Sequence, residues 1–222
     1  MTSRTKPRGT LIVLEGLDRS GKSTQCERLV THLRNSGHET EHIRFPDRTT
    51  PIGSMINSYL SGQTQTEDHV IHLLFSANRW EKVQAITDAI SAGKCVVVDR
   101  YYYSGCVYTA AKGIEGMGLE WCRQPEVGLP RPDICVFLDL SAEKAAERGG
   151  FGKERYERAE MQGRVRELFT QMRKHQDERD DIRIVDAGRS VEDVEQDIQK
   201  LVSGAMRRVR DNAEPVRQVE PW

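Results

Sequence analysis

The sequence GTLIVLEGLDRSGKSTQ, residues 9–25, joins an uninterrupted apolar run to a glycine-rich segment. The apolar run predicts a buried strand over residues 9–16, and the apolar spacing after it predicts a helix over residues 22–35. Between them, Gly16 and the triplet GKS at 21–23 match the pattern G-x-x-x-x-G-K-[ST] of a phosphate-binding loop, the P-loop. This pattern is common by chance, but between a strand and a helix it is a strong prediction of nucleotide binding.

The residues of this loop have distinct chemical roles toward a bound nucleotide. Glycines allow backbone N–H groups to turn inward around phosphate oxygens, and the positive end of the following helix points at the same oxygens. Lys22 is expected to bridge the β and γ phosphates, and Ser23 is expected to bind Mg²⁺. Asp99 ends another predicted strand and is the candidate second acid at the metal, with capping of the next helix as its alternative role. The predicted ATP-binding residues of the loop are Gly16, Ser20, Gly21, Lys22, Ser23 and Thr24.

Four more apolar runs predict strands, and helical patterns separate all of them. The strands are predicted at residues 42–46, 94–100, 133–140 and 182–187. A long helix is predicted from about 67 to 92, and another begins near Val191. Strands that alternate with helices predict an α/β protein, here with the P-loop NTPase fold: a five-stranded parallel sheet flanked by helices on both faces. Ligands of such sheets bind at the carboxyl ends of the strands.

The chain is predicted to form a single domain over residues 1–210. The sequence GGFG at 149–152 lies between helical segments, so we interpret residues of about 148–157 as a lid. Residues 211–222 contain two prolines and no clear period, and this tail is predicted to be flexible.

The composition excludes several classes of function. The 222 residues include 33 basic and 34 acidic side chains, so no net field draws the chain to nucleic acid or to a membrane surface. No apolar run approaches the roughly 20 residues of a membrane span. The five cysteines are scattered without C-x-x-C spacing, as expected for reduced thiols in an intracellular protein. We therefore expect a soluble, cytoplasmic protein, with a nuclear fraction left open.

The class of P-loop protein follows from the residues that accompany the loop. A GTPase would need the base-reading motif N-K-x-D, which the sequence lacks. Arginines instead accumulate at predicted strand ends, at Arg19, Arg48 and Arg100. A single nucleotide does not need so many, whereas two phosphorylated substrates do, because their anions must be held together against repulsion. The pattern favours phosphoryl transfer onto a phosphate.

Six segments run in order through most of the chain: LIVLEGLDRSGKSTQ (11–25), RFPDR (44–48), HLLFSANRWE (72–81), VVVDRYYYSG (96–105), QPEVGLPRPD (124–133) and ERGGFGKERYE (147–157). Together they are highly specific, and through them the sequence resembles the thymidylate kinase family, in particular its eukaryotic branch. The resemblance implies that MgATP donates its γ-phosphoryl group to dTMP, giving dTDP and ADP for dTTP synthesis. It also implies a homodimer formed by helix packing. The long helix from Glu67 is a candidate for that face, with a purely intramolecular core role as the alternative.

The resemblance also implies roles for individual residues at the acceptor. Phe75 would stack on thymine, and Arg79, one helical turn later, would hydrogen-bond the edge of the base. Arg48 and Arg100 would bind the acceptor phosphate, and Tyr108 would favour deoxyribose. The implied dTMP-binding residues are Asp18, Arg48, Phe75, Arg79, Arg100, Ser104, Gly105, Tyr108 and Tyr156.

Two neighbouring loop residues receive opposite roles from the resemblance. Asp18 would accept a hydrogen bond from the acceptor's 3′-hydroxyl, while Arg19 would face the transferring phosphoryl group. The lid residues Lys153 and Arg155 are the alternative for the second task. Two further arginines would flank the adenine of ATP or lie solvated at the surface: Arg148 and Arg189. The implied catalytic residues are Arg19, Lys22, Asp99 and Arg100, with Ser23 and Asp99 at the metal.

Two other functions remain open at this point. Another nucleoside monophosphate kinase or a deoxynucleoside kinase would share the P-loop. The deoxynucleoside kinase would need a carboxylate base, for which Glu15 is awkwardly placed inside the strand end. A nucleotide-binding regulator would bind ATP without any turnover.

Overall fold

The five predicted strands form one parallel sheet. The computed structural model describes residues 7–148, 155–156 and 159–222. Its strands are β1 Leu11–Gly16, β2 Thr40–Arg44, β3 Cys95–Asp99, β4 Ile134–Asp139 and β5 Ile182–Asp186. They lie in the order β2-β3-β1-β4-β5, and the pairings are parallel. The prediction of an α/β protein with a five-stranded parallel sheet is confirmed.

Helices cover both faces of this sheet, as predicted. The described helices are α1 Lys22–Asn35, α2 Pro51–Leu60, α3 Asp68–Trp80, α4 Val83–Ser91, α5 Tyr102–Ala110, α6 Leu119–Arg123, α7 Ala142–Glu147, α8 Ala159–Lys174, α9 Gln176–Arg179 and α10 Val191–Asp211. Successive residues of a strand point to opposite faces, so Leu11 and Val13 of β1 pack with residues of α4, α5 and α8. Ile12 and Leu14 pack on the other face with α1 and α10.

The register of the sheet places the first loop between two strand ends. Leu14 of β1 lies opposite Asp99 of β3, and Gly16 lies opposite Leu138 of β4. The chain leaves β1 at Gly16 and continues into a loop that is flanked by the carboxyl ends of both neighbours. This is the switch point of the strand order, where α/β sheets bind their ligands.

The long helix predicted over about 67–92 is wrong in one respect, because the structure breaks it beside Lys82 into α3 and α4. The two helices have different packing partners. Ile71 of α3 packs against α2, whereas Ile86 of α4 packs in the cluster beneath the sheet. At the break, Lys82 forms an ion pair of 2.9 Å with Asp47. Both halves keep an apolar face, so the periodicity alone does not show the change of direction.

The structure also differs from the prediction of a flexible tail over residues 211–222. Asp211 still belongs to α10, and the chain beyond it turns back along residues 128–131. Val219 is 1% exposed, and Trp222 packs against the core. The tail is held by backbone pairing with a loop, and such a short pairing leaves no periodic pattern in the sequence.

Most of the predicted lid lies outside the described residues, which include Arg148, Arg155 and Tyr156 of that segment. The cysteines are buried and unpaired: Cys26, Cys95, Cys106, Cys122 and Cys135. In the part of the chain that the structure describes, no helix combines the length and the hydropathy needed to cross a membrane.

Candidate active site

The loop between β1 and α1 has the backbone shape that phosphate binding requires. Gly16 and Gly21 have φ angles of 147° and 87°, in the region that favours glycine. A Cβ at Gly16 would lie only 2.5 Å from the carbonyl oxygen of Leu138, so the close approach of β4 also requires a glycine. Gly21 is the N-cap of α1 and provides no side-chain cap. The first N–H groups of α1 and its positive dipole end are therefore presented to an anion.

The Lys22 side chain is buried within this loop. Its Nζ donates hydrogen bonds to the Leu17 carbonyl oxygen at 2.6 Å and to Ser20 Oγ at 3.4 Å. Burial, and then the positive charge of Arg100, lower the pKa of Lys22 from its usual value to about 8. Because the charged form is penalised here, a phosphate beside Nζ would stabilise the ammonium and raise the pKa again. This position suits the predicted contact with the β and γ phosphates.

The two predicted metal ligands contact each other. Ser23 Oγ donates a hydrogen bond of 2.6 Å to Asp99 Oδ2, and Asp99 is 1% exposed. Nε of Arg44 lies 3.7 Å from the same oxygen. The described residues contain no group of three or more His, Cys, Asp or Glu that could hold a metal ion. A hydroxyl with one carboxylate nevertheless fits Mg²⁺, which keeps several waters and takes other ligands from nucleotide phosphates.

The Asp18 carboxylate is held by side chains of other elements. It forms an ion pair with the Arg100 guanidinium and accepts hydrogen bonds from Tyr108 Oη at 3.1 Å and Gln162 Nε2 at 2.7 Å. Burial opposes ionisation, but the charges of Arg100 and Lys22 together with these hydrogen bonds lower the pKa of Asp18 below its usual value. Asp18 is therefore a charged group whose charge is already neutralised by a partner. Gln162 belongs to no motif, so the sequence provided no signal for it.

Arg100 leaves β3 with a left-handed backbone, at a φ of 66°. Its NH1 donates to Ser104 Oγ at 3.0 Å and to the carbonyl oxygen of Gly16 at 3.4 Å. The fully buried Glu15 supports this turn, since it accepts the N–H groups of Tyr101 at 2.8 Å and Ser104 at 3.0 Å. Those bonds give Glu15 a structural role and disfavour the alternative in which it serves as a catalytic base.

A cavity of about 240 Å³ opens beside Asp18 and Arg100. The residues that line it include the whole predicted acceptor set: Asp18, Arg48, Phe75, Arg79, Arg100, Ser104, Gly105, Tyr108 and Tyr156. The ring of Tyr156 lies 5.6 Å from that of Tyr108, between ring centroids. Aromatic rings and arginines in one cavity fit a ligand that carries both a planar base and a phosphate.

Arg79 reaches this cavity from α3, although it is only 2% exposed. Its Nε and NH2 donate to the carboxylate oxygens of Glu126 at 2.8 and 2.5 Å. Glu126 is fully buried in a 3₁₀ turn, Gln124–Glu126. Burial opposes the charge on Arg79, yet the Glu126 carboxylate raises the pKa of Arg79. Glu126 lies in the segment QPEVGLPRPD but was missing from the predicted site residues.

The arginines predicted near the adenine differ in their surroundings. Arg148 joins the P-loop to the end of β5, because its NH1 donates to the carbonyl oxygen of Arg19 at 2.9 Å and its NH2 to that of Ala187 at 2.8 Å. Arg189 is exposed and forms an ion pair with Asp197. Both remain candidates for the donor side, and only Arg148 contacts the loop directly among the described contacts.

The residues that are candidates to contact the transferring phosphoryl group lie in different parts of the structure. Arg19 lies within the P-loop, with a left-handed φ of 65°. Arg155 lies against the end of α2, where its Nε donates to the Tyr59 carbonyl oxygen at 3.2 Å and its guanidinium lies 4.2 Å from the centre of the Tyr59 ring. Lys153 lies outside the described residues.

Known proteins resemble this chain along most of its length. The model of the thymidylate kinase family matches residues 14–198. This chain belongs to the thymidylate kinase family. The thymidylate kinases of Arabidopsis thaliana and Homo sapiens are each 50% identical to it over 200 residues, which are 90% of this chain and 73% and 92% of those proteins. The solved structure of the thymidylate kinase from Candida albicans superposes with a TM-score of 0.84 at 38% identity, covering 97% of this chain and 100% of that one. The P-loop NTPase fold and the resemblance to eukaryotic thymidylate kinases are thereby confirmed.

The tight packing around Arg79 predicts an unusual response to Gly105→Ala. Gly105 lies inside α5, where alanine normally favours the helix, but its Cβ would lie 2.6 Å from NH2 of Arg79. Overpacking of this kind costs about 1–3 kcal/mol, so we expect a lower melting temperature. Gly163→Ala in α8 is the matched control, because its Cβ meets nothing within 4 Å. That control is expected to gain roughly 0.5–1 kcal/mol. Thermal unfolding measures both, and equal stabilisation would mean that Arg79 is free to move.

Proposed function

We propose that this member of the family is a thymidylate kinase, which transfers the γ-phosphoryl group of MgATP to dTMP and gives dTDP and ADP for dTTP synthesis. The observation that carries the proposal is the position of Asp18. It belongs to the phosphate-binding loop, yet its carboxylate contacts Arg100 and Tyr108 in the wall of the neighbouring cavity. A donor site and an acceptor site that share a residue support direct transfer between two bound nucleotides.

The acceptor would be held at its base and at its phosphate. Phe75 offers a ring that can stack on thymine, and Arg79 offers donors to the edge of the base. Arg48 and Arg100 would bind the phosphate, which guanidinium groups match in geometry. Tyr108, whose ring lies 5.3 Å from the Arg100 guanidinium, would fill the space beside the sugar and favour deoxyribose. The attacking phosphate oxygen is already ionised, so no general base is required.

The donor would be held by the loop. Lys22 and the N–H groups at the start of α1 would bind the β and γ phosphates, and Ser23 and Asp99 would hold Mg²⁺. Bound there, the ion would neutralise charge on the phosphate oxygens. Asp18, paired with Arg100, would accept a hydrogen bond from the acceptor's 3′-hydroxyl without repelling the donor.

A coupled ADP-release assay over several nucleoside monophosphates tests the proposed function. We expect dTMP to be the best acceptor, ahead of dUMP, dCMP, dGMP and AMP, because Phe75 and Arg79, the proposed contacts to the base, both line the cavity. Thymidine, which lacks the phosphate, is the control and should not be phosphorylated. Turnover of thymidine instead of dTMP would indicate a nucleoside kinase. ATP binding without turnover of any acceptor would indicate a regulator.

Arg19 is the residue that we propose for charge stabilisation on the transferring phosphoryl group. Arg19→Met keeps most of the side-chain bulk and removes the charge. We expect kcat to fall by about 10³ or more, as for arginines of this role in other phosphoryl-transfer enzymes. ATP affinity should change by less than about tenfold, since interactions made in the transition state appear in kcat.

Arg155→Met is the comparison variant for this experiment, because Arg155 hydrogen-bonds the end of α2 and is the alternative candidate. Its kcat should fall only moderately. An Arg19→Met enzyme that keeps more than about a tenth of normal turnover would contradict the assignment to the loop.

We also propose that the protein is a homodimer that packs through α3. Val70, Leu73 and Trp80 recur on one face of α3 and are 47%, 48% and 41% exposed, and Met55 of α2 is 55% exposed. A row of exposed apolar side chains on one helix favours burial against another copy of the chain.

Leu73→Arg is expected to convert the dimer to a monomer, because it places a charge in the centre of that apolar row. Ile184→Arg is the matched control, since Ile184 is 47% exposed on β5, outside α2 and α3. Light scattering of both variants at the same concentration measures the mass. A Leu73→Arg dimer would place the interface elsewhere, and a monomeric unsubstituted protein would refute dimerisation.

A further inference from the structure

The chain beyond α10 pairs with the loop at residues 128–131 through the backbone. The Gly128 N–H donates to the Val219 carbonyl oxygen at 2.8 Å, and the Val219 N–H donates to the Leu129 carbonyl oxygen at 2.8 Å. The Arg131 N–H donates to the Arg217 carbonyl oxygen, also at 2.8 Å. Pro130 and Gln218 form an antiparallel bridge within this ladder. We call residues 213–222 the C-terminal strap.

Side chains fasten the strap to buried charged groups. Arg217 NH2 donates to Asp181 Oδ1 at 2.8 Å. The Trp222 ring stacks on His175 with centroids 4.3 Å apart and lies 4.9 Å from the Arg123 guanidinium. Arg123 is itself 1% exposed and immediately precedes the 3₁₀ turn of residues 124–126. The last residue of the strap therefore contacts the side chain of the residue that precedes the segment, and the ladder holds the other end of the segment.

The segment between these two attachments carries Glu126. Its backbone is continuous with the ladder, because the Leu129 N–H donates to the Glu126 carbonyl oxygen at 3.1 Å. On its other side the segment contacts α3, where the Pro125 carbonyl oxygen accepts Ser76 Oγ at 3.0 Å and Trp80 Nε1 at 2.8 Å. The segment is thus clamped between the strap and the helix that supplies Arg79.

We infer that the C-terminal strap is a positioning element for the acceptor site, which holds residues 124–131 and, through Glu126, orients Arg79 toward the cavity. The inference rests on the proposed function. Arg79 and Glu126 are both buried, so a shift of the segment would leave one charge without its partner and would move the other. The described contacts of the strap include none with the P-loop, residues 16–24. Loss of the strap should therefore weaken binding of the acceptor nucleotide and leave binding of ATP unchanged.

Two variants test this inference in the full enzyme assay: Trp222→Ala, and a chain ended after Glu214. We expect the KM for dTMP to rise about tenfold, the cost of one well-placed hydrogen bond. The KM for ATP and kcat should change by less than about twofold, a split that separates positioning from general loss of folded enzyme. Trp222→Phe keeps an aromatic ring over His175 and should restore most of the dTMP KM. Arg210→Ala is the matched control at the end of α10, because Arg210 is exposed and pairs with Asp211.

Hydrogen exchange provides a readout besides activity. The amides of Gly128 and Arg131, which take part in the ladder, should exchange faster in Trp222→Ala, while the amides of α1 should not. Unaltered dTMP KM in both variants, with only a lower melting temperature, would overturn the inference and leave the strap a stabilising element. An equal rise in the KM for ATP and in the KM for dTMP would overturn the inference as well. These outcomes refute the inference alone and require an unsubstituted chain that is active. If the unsubstituted chain does not phosphorylate dTMP, the proposed function is refuted, and the inference is refuted with it.

Discussion

One buried carboxylate, Glu15 at the end of β1, sets the geometry on which the site depends. An isolated charge at a fully buried position would cost several kcal/mol. Donors at the start of α5 offset this cost, namely the N–H groups of Tyr101 and Ser104 and the Ser104 hydroxyl at 2.5 Å. Burial raises the pKa of Glu15, while the charge of Arg100 and these hydrogen bonds act to lower it. Because α5 is anchored to β1 in this way, the left-handed Arg100 between β3 and α5 stays beside the phosphate loop.

This anchor explains how the loop tolerates an aspartate. A guanidinium carries several N–H donors in one plane, so Arg100 can pair with Asp18 and Ser104 and still have donors left for an anion. The same cation lies close enough to Lys22 to lower its pKa, after burial, toward about 8. Positive charges are thus held together at some electrostatic cost before any ligand binds. Phosphate groups relieve that repulsion, which is why a preformed site of this kind favours polyanions.

The parts of the fold that could be predicted are those whose signal is local. β1, β3 and β4 are buried on both faces and therefore appear as continuous apolar runs. The edge strand β2 has a single buried residue, Thr40, and it was predicted at 42–46 although it lies at Thr40–Arg44. The break beside Lys82 and the packed tail depend on partners elsewhere in the chain, so no window of sequence contains them.

The residues of the candidate site also divide into those with a local sequence signal and those without one. The P-loop residues follow from a local motif, whereas the individual roles predicted for the acceptor residues followed only from the family resemblance. Gln162, Glu126 and Glu15 were missed as partners because each acts on a residue far along the chain. Gln162 and Asp18 are 144 residues apart, and Arg79 and Glu126 are 47 apart. A single sequence contains no signal that connects such pairs, and glutamine and glutamate are also common at ordinary surface positions.

The Arg79–Glu126 pair shows why such a hidden partner matters for recognition. A buried ion pair is weak evidence for stability, because the cost of removing both charges from water can exceed their attraction. The pair instead fixes the direction in which the Arg79 guanidinium points. Nε and NH2 of Arg79 bind Glu126, and the guanidinium is planar, so the position of NH1 is set by the same pairing. A ligand group that hydrogen-bonds Arg79 in the cavity would meet a donor whose side-chain entropy was already lost on folding, so the loss on binding would be correspondingly smaller. The orientation of Arg79, which we propose as the contact to the base, is therefore set by the segment that carries Glu126.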